Sequence, residues 1–444
     1  MAAWARKRFS GWGRIHQADS LAARPERMAE VARAMADAGA DTLLAFGAGR
    51  SYGDAAINSS GRTLITRRLD RVLELDAARG TLVAEPGVTF RELIDVCLRA
   101  GFKPPVVPGT GFATLGGGIA NDVHGKNHHQ AGSLGQHVEW LDLRLPNGDL
   151  QRVSLQTNER LFRATLGGLG LTGIVERACI RLAAAPSNAV RVRKRRVRDL
   201  DDFLAGFDAE RERSHYVVGW IDALARGRDL GRGILESAEM AGASVPPSTR
   251  KPKRVPLDFP AFALNGFSVR AFNWFYGRHV PASGSDAVMP YTDFLFPLDA
   301  IHEWNRIYGK RGFRQFQCVV PFETGRAALK QLLETIGRSN RGSFLAVLKA
   351  MGQAGVGYLS FPMPGYTLAL DFPNGSGVAA FIAGLEEIVC DHGGRVYLAK
   401  DSTLSAQRFA RMYPAADEYR NTLAQIDPQG RMRSDLAVRL GLRS

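Results

Sequence analysis

The stretch Pro104–His137, PPVVPGTGFATLGGGIANDVHGKNHHQAGSLGQH, constrains what this chain can fold into more than any other. Six glycines lie between Gly109 and Gly125, and four histidines between His124 and His137. Glycine permits positive φ and lets a ligand approach the main chain closely. Main-chain N–H groups gathered in a concave turn attract anions. Such a loop is expected to lie against a large, anionic, partly flat ligand. The polar run that ends it, His124-Gly-Lys126-Asn127-His128-His129, supplies groups able to move protons.

Two further glycine runs flank this one. Thr42–Phe46 reads as a short apolar strand running into Gly47-Ala-Gly49-Arg50-Ser51-Tyr52-Gly53-Asp54. A dinucleotide fingerprint of the Rossmann type needs a helix next, and an acidic residue about 20 positions on. Strand-like text follows instead, at Thr63–Thr66, Val72–Leu75 and Thr81–Ala84, so a Rossmann fold is rejected. The third run is Gly167-Gly-Leu-Gly170-Leu-Thr-Gly173-Ile174-Val175. Residues 20–39 read as a helix, with Pro25 near its start. Thr89 and Glu92 predict a capping box opening a helix that ends near Arg99. Val138–Leu145 alternates as a strand.

A chain of 444 residues calls for two or three domains. Its formal charge of +14, from 58 basic and 44 acidic side chains, favours anionic partners. Phosphates, acidic lipid and nucleic acid all qualify. Cys97, Cys179, Cys318 and Cys390 form no CxxC pair, so neither a disulfide framework nor a metal site is expected. No run approaches the ~20 apolar residues that span a bilayer. The basic N-terminus lacks the apolar core of a signal peptide. A cytoplasmic location is the expectation, with any contact at the inner membrane being peripheral.

The runs FGAGRSYGD, PGTGFATLGGGIANDVHGKNH and LGGLGLTGIV, at these separations, resemble the FAD-binding domain of the vanillyl-alcohol-oxidase (PCMH) type. DVHGKNHHQAGSLGQHV is the most specific element. Val218–Asp222, Phe294–Asp299, Gln315–Pro321, Asp371–Pro373, Tyr397–Ser402 and Arg411–Pro414 extend the resemblance through nearly the whole chain. It implies an α+β fold, with a split FAD-binding domain made of two α/β subdomains. A substrate domain built on an antiparallel sheet with helices is inserted between them. The implied bounds are residues 1–184, 185–394 and 395–444, the last returning to the FAD domain.

The implied activity is FAD-dependent oxidation of the C2 hydroxyl of a polyprenylphosphoryl-β-D-ribose to a 2-keto sugar, the first half of a ribose-to-arabinose epimerisation. The alternative is a flavin oxidase of a soluble alditol or aldonolactone. A third reading, a non-enzymatic basic adaptor, fits poorly with intact glycine runs and proton-transfer groups. The implied partners are the lipid-linked sugar phosphate, a separate NAD(P)H-dependent ketoreductase, and quinone or oxygen as electron acceptor, but no nucleic acid. Many relatives carry a flavin-linking histidine where this chain has Arg50, so the FAD is expected to be non-covalent.

The resemblance also assigns residues. Cofactor contacts fall on Ala45, Phe46, Gly47, Ala48, Gly49, Arg50, Ser51, Tyr52, Gly53 and Asp54. They continue at Gly109, Thr114, Leu115, Gly116, Gly117, Asn121, Asp122, Val123 and His124, then at Ile174, Val175 and Tyr397. Trp220, Tyr308, Gln315, Gln317, Lys349 and Lys400 are placed around the substrate. Lys400, His124 and Lys126 are the candidates for handling the hydroxyl proton. Lys400 is expected on a strand. His128, His129 and His137 read as local hydrogen-bonders. Some relatives have a cysteine beside the flavin where this chain has Ala369.

Two segments keep open readings. Val190–Arg198 is the densest basic run, expected either at a solvated strand edge or interdomain seam, or as an attractor of lipid phosphate. Residues 240–291 combine a Pro/Lys/Arg loop with seven aromatics from Phe259 to Tyr276. They read either as a helix packed on the sheet or as a lipid-facing flap.

Overall fold

A computed structural model describes residues 3–260, 262–342 and 344–443. The N-terminal part carries two sheets. The first has the order Ala5–Ser10, Gln17–Ala23, Arg62–Ile65, Leu43–Phe46, the last two joints being parallel. The second is antiparallel, with the order Val72–Asp76, Thr81–Ala84, Ile174–Arg181, Val138–Arg144, Leu150–Val153. The helix Phe90–Arg99 packs on it through Phe90, Leu93, Ile94 and Cys97, and opens with the Thr89–Glu92 capping box.

From Ala189 onward the chain builds an eight-stranded antiparallel sheet. Its order is Ser285–Pro290, Ala189–Val197, Gly233–Met240, Tyr216–Ile221, Ala346–Met351, Gly365–Pro373, Phe313–Val320, Arg395–Val396. The helices Leu200–Glu210, Phe322–Ser339 and Val378–Asp391 cover it, burying Phe203, Phe207, Leu332 and Leu385. The fold is thus α+β, as expected.

Three local expectations are corrected. Residues 20–39 are not one helix: Gln17–Ala23 is a strand and the helix is Met28–Asp37. Pro25 disfavours helical geometry in the residue before it, and Ser20 is buried with its hydroxyl on the Gly61 carbonyl at 2.8 Å. The basic run is not an edge along Val190–Lys194, which pairs on both sides, although Arg195–Val197 pair on one side only. Val190 and Val192 point inward and join the core that holds Phe90 and Leu134, at the seam with the N-terminal sheets. Two of the bases meet carboxylates: Lys194, on the same strand face as Val190 and Val192, pairs with Glu236 at 2.7 Å, and the outward Arg191 pairs with Asp286 at 3.1 Å. Lys400 is not on a strand. The last strand stops at Val396, and the N–H groups of Lys400 and Asp401 both turn back to the Tyr397 carbonyl.

That turn brings the C-terminal segment onto the first glycine run. Leu43 bridges to Met432, and the Tyr52 N–H donates to the Ala399 carbonyl at 2.9 Å. A methyl group at Gly53 would fall 1.8 Å from the Asp401 carbonyl oxygen, so only glycine permits this approach. Arg439 locks the junction. Its guanidinium donates to Asp54 at 2.7 and 2.9 Å and to Asp401 at 2.9 Å. Both carboxylates are buried. Removing the cation strands two buried negative charges, and breaking a buried pair costs about 3–5 kcal/mol. Arg439→Ala is therefore expected to lower stability by at least ~3 kcal/mol in urea denaturation, with Arg439→Lys intermediate. A loss below ~1 kcal/mol, the level of a surface pair, would show that the junction is held elsewhere.

Candidate active site

The three glycine runs converge with the turn at Lys400. Gly47 sits against the Thr114 side chain, where a methyl group would be 2.5 Å from Oγ1. Thr114 caps the short helix Leu115–Ala120, its Oγ1 accepting from the Gly117 N–H at 3.2 Å. Within that helix the glycines divide by role. A methyl group would strike Pro86 from Gly116 and the Phe90 ring from Gly118, so these two serve packing. Gly109 has nothing within 4 Å of such a methyl group, which leaves it facing open space.

Arg50 lies in this cradle. Its guanidinium is 4.2 Å from the Trp12 ring and 5.0 Å from the Phe112 ring, and it makes no ion pair among the described residues. Burial pulls its pKa down, against the raising influence of Asp299. Its Nε has no hydrogen-bond partner, and neither do Asn121 Oδ1 and His124 Nδ1. Buried polar atoms are rarely left unsatisfied. Phosphate oxygens, ring carbonyls and a ring N–H of a bound FAD would answer these two donors and one acceptor, so the residues fit that cofactor.

The loop itself is held by two carboxylates. Asp122, with φ of 39°, accepts from Ser133 Oγ at 2.8 Å, the Gly135 N–H at 2.7 Å and Ser360 Oγ at 2.5 Å. Its side chain is spent on structure and is not directed at a ligand. Asp299 accepts from Thr110 Oγ1 at 2.7 Å and the Gly111 N–H at 2.8 Å. Asp54 belongs to Arg439, as above. Ile174 is a core residue beside Leu43, Leu64 and Met432, and Val175 packs at the edge of the second sheet's core. The Tyr397 hydroxyl donates to the Asn121 carbonyl at 3.1 Å, and its ring stacks on Phe361 at 4.7 Å.

His124 lies under this cover, buried between Phe361 and Tyr397. The Gln317 amide N–H, 3.0 Å away, can only donate, so His124 Nε2 accepts. The proton then sits on Nδ1. Burial first, then Lys349, His128 and Lys400, hold the pKa well below 6.5. His124 is thus held neutral, with Nε2 engaged by Gln317 and Nδ1 left without a partner. His128 accepts from the Gly352 N–H, while His129 and His137 bond to the Ser214 and Ala131 carbonyls.

Three lysines converge here without an ion pair among the described residues. Lys126 donates to the Phe294 carbonyl at 2.6 Å and Lys349 to the Gly125 carbonyl at 3.4 Å. Burial lowers both to about 8. The Lys400 ammonium lies 3.6 Å from the Tyr52 ring centroid. Burial takes it to about 7, with Lys349 pushing further down and Asp371 opposing.

Asp371 was not among the expected site residues. It is fully buried in the strand Gly365–Pro373, accepting from Gln315 Nε2 at 2.6 Å and the Tyr308 hydroxyl at 3.0 Å. Burial raises it to about 7. The sequence signal was a lone carboxylate inside the apolar run Leu368-Ala-Leu-Asp-Phe372. Gln315 and Gln317 share one strand face, so one holds Asp371 and the other His124. Trp220 stands further out, its indole N–H on the Phe344 carbonyl at 3.0 Å and its ring against Tyr276. Ala369 pairs across to Gln317 and Val347.

A glycine-lined anion cradle joined to a buried, proton-handling pocket defines an FAD-dependent oxidoreductase. Residues 20–154 match the family model described as an FAD binding domain. The chain is 35% identical to the decaprenylphosphoryl-β-D-ribose oxidase of Mycolicibacterium smegmatis, covering 98% of both chains. It is 32% identical to an uncharacterized protein of Streptomyces coelicolor, over 80% of this chain and all of that one. An uncharacterized FAD-linked oxidoreductase of Mycobacterium tuberculosis matches at 27% over 36% of each chain. The chain belongs to the family of the decaprenylphosphoryl-β-D-ribose oxidase, flavoproteins with a PCMH-type FAD-binding domain.

Asp371 and Lys400 give a prediction with a definite sign. The Asp371 charge raises the Lys400 pKa, so Asp371→Asn removes that support and Lys400 gives up its proton at lower pH. The limb of the pH–rate profile of anaerobic flavin reduction that reports Lys400 is expected to move to lower pH. An unmoved limb would show that the two groups do not interact.

Proposed function

We propose that this enzyme oxidises the C2 hydroxyl of a polyprenylphosphoryl-β-D-ribose to the 2-keto sugar. The observation that carries this reading is the row of buried lysines Lys126, Lys349 and Lys400, neighbours in that order, with Asp371 beside Lys400 and with Glu236, already paired to Lys194, beside Lys126. Buried ammonium groups need a counter-charge, and a sugar phosphodiester supplies one. A neutral alditol or lactone would leave the lysines uncompensated, which sets the alternative substrate class behind.

In this reading the two N-terminal sheets and the segment from residue 395 hold the FAD, and residues 185–394 hold the substrate. Arg50, Asn121 and His124 contribute their unsatisfied polar atoms to the cofactor, and the open backbone at Gly109 lies against it. FAD supplies the hydride acceptor when bound. Lys400, neutral in a substantial fraction near pH 7, takes the hydroxyl proton. Lys126 and Lys349, which donate to the Phe294 and Gly125 carbonyls, hold the phosphate. Gln315 and Tyr308 fix Asp371, which sets the Lys400 proton. The 2-keto product calls for a separate NAD(P)H-dependent ketoreductase, and the reduced enzyme for quinone or oxygen. Contact with the inner membrane is peripheral, and among the described residues no helix is long and apolar enough to cross one.

Arg50 stands where a covalent relative needs histidine, so acid precipitation is expected to release the flavin into the supernatant. Yellow colour retained on the pellet would overturn that assignment. Anaerobic reduction tests the function. A polyprenylphosphoryl ribose should bleach the flavin and free polyols should not. Lys400→Ala should keep its FAD but reduce it about 10²–10³-fold more slowly, the usual effect of losing one charge-handling group. Bleaching at the wild-type rate by that variant would remove Lys400 from the chemistry.

A further inference from the structure

The helix Gly266–Arg278 turns Phe267, Trp274 and Phe275 outward, while Phe272 and Tyr276 pack against Phe344 and Trp220. Val269 and Asn273 are its buried positions, and the Asn273 amide N–H donates to the buried Asp222 carboxylate at 2.7 Å. Phe267 is 83% exposed and Phe275 69%. With Trp274 they form one stripe along the helix, at positions 267, 274 and 275. Phe262, 77% exposed, adjoins the helix start, its carbonyl accepting from the Asn265 cap, and Leu257, further back in the same loop, is 74% exposed. Scattered exposed apolar residues are ordinary, but a contiguous rimmed patch marks an interaction site.

The charge around the patch selects the partner. Residues 241–284 contain six Lys or Arg and one acid, Asp258, which pairs with Arg14. Lys251, Lys253 and Arg270 are exposed and make no ion pair among the described residues. Aromatics interleaved with unpaired basic groups on one outward face fit the surface of an anionic bilayer. Beside the patch, a cleft of about 310 Å³ is lined by Phe259, Leu264, Ile307 and Tyr308. Lys310 and Arg311 stand at the same cleft, and Tyr308, which lines it, donates its hydroxyl to Asp371, the carboxylate beside Lys400.

We propose that residues 250–278 dock the enzyme on anionic phospholipid, placing the mouth of the Phe259–Tyr308 cleft at the bilayer surface. This rests on the lipid-linked substrate reading, since the cleft then receives the prenyl chain of a substrate still seated in the membrane. The docking is shallow, because the aromatic stripe is a single helix face flanked by Arg270 and Arg278.

Co-sedimentation of the FAD-loaded enzyme with phosphatidylglycerol/phosphatidylcholine vesicles tests the proposal. Wild type should bind these and bind pure phosphatidylcholine at least tenfold more weakly. Phe262→Ser/Phe267→Ser/Phe275→Ser should lose at least tenfold in binding, and Lys251→Glu/Lys253→Glu/Arg270→Glu should lose the preference for phosphatidylglycerol. Both variants should retain the wild-type flavin spectrum and wild-type flavin reduction by substrate presented in detergent. Wild type that stays in the supernatant, or variants that bind as well as wild type, would overturn the docking. So would serine substitutions that change only the oligomeric state in gel filtration, which would make the patch a face between copies. Failure of flavin reduction by detergent-solubilised lipid-linked sugar would instead remove the substrate reading, and the vesicle result would not depend on it.

Discussion

Burying an ammonium group without a partner costs several kcal/mol, and this chain buries three in a row, two of them beside His124. Nothing else in the site is as demanding. The main-chain carbonyls of Phe294 and Gly125 take one hydrogen bond each from Lys126 and Lys349, and the Tyr52 ring faces Lys400. These contacts do not neutralise charge. The fold tolerates the arrangement because proton loss near pH 7–8 relieves it, and a bound anion relieves it more completely.

The architecture holds those groups together from both ends of the chain. Lys126 follows the glycine loop, Lys349 sits on a central strand of the large sheet, and Lys400 lies on the turn where the chain returns. The return depends on close approach: Gly53 against Asp401, Gly47 against Thr114, and Arg439 across two buried carboxylates. Each is intolerant of an added atom or a lost charge. The same turn that brings Lys400 to the pocket therefore also closes the FAD-binding part.

Much of this was legible in the sequence, because glycine runs and capping boxes are local signals. The strands from Leu43 to Ala84 and the Thr89 cap came out as read. The misreadings have non-local causes. The strand Gln17–Ala23 exists because it pairs with Arg62–Ile65, far along the chain, with Leu21 meeting Arg62 and Ala22 meeting Thr63. The basic run at Val190 is open to an edge reading because its valines fix no single strand register, but a second strand arrives from Ser285 to cover Ala189–Lys194. Asp122 sits in the cofactor motif, yet its bonds run to Ser133 and Ser360, the latter far along the chain. Asp371 escaped notice because its importance comes from Gln315, Tyr308 and Lys400, which only the folded sheet brings to it.

The central claim is that the buried lysines recognise a phosphate on the substrate. The most direct test is a matched pair of short-chain prenyl ribosides, one with and one without the phosphate, offered anaerobically to wild type and Lys349→Met. Wild type should reduce its flavin at least ~10²-fold more efficiently with the phosphorylated compound, since a charged hydrogen-bonded pair is worth about 2–3 kcal/mol. Lys349→Met should lose most of that preference while reducing with the unphosphorylated compound as wild type does. Equal efficiency of the two compounds with wild type, or a preference unchanged in Lys349→Met, would contradict the account.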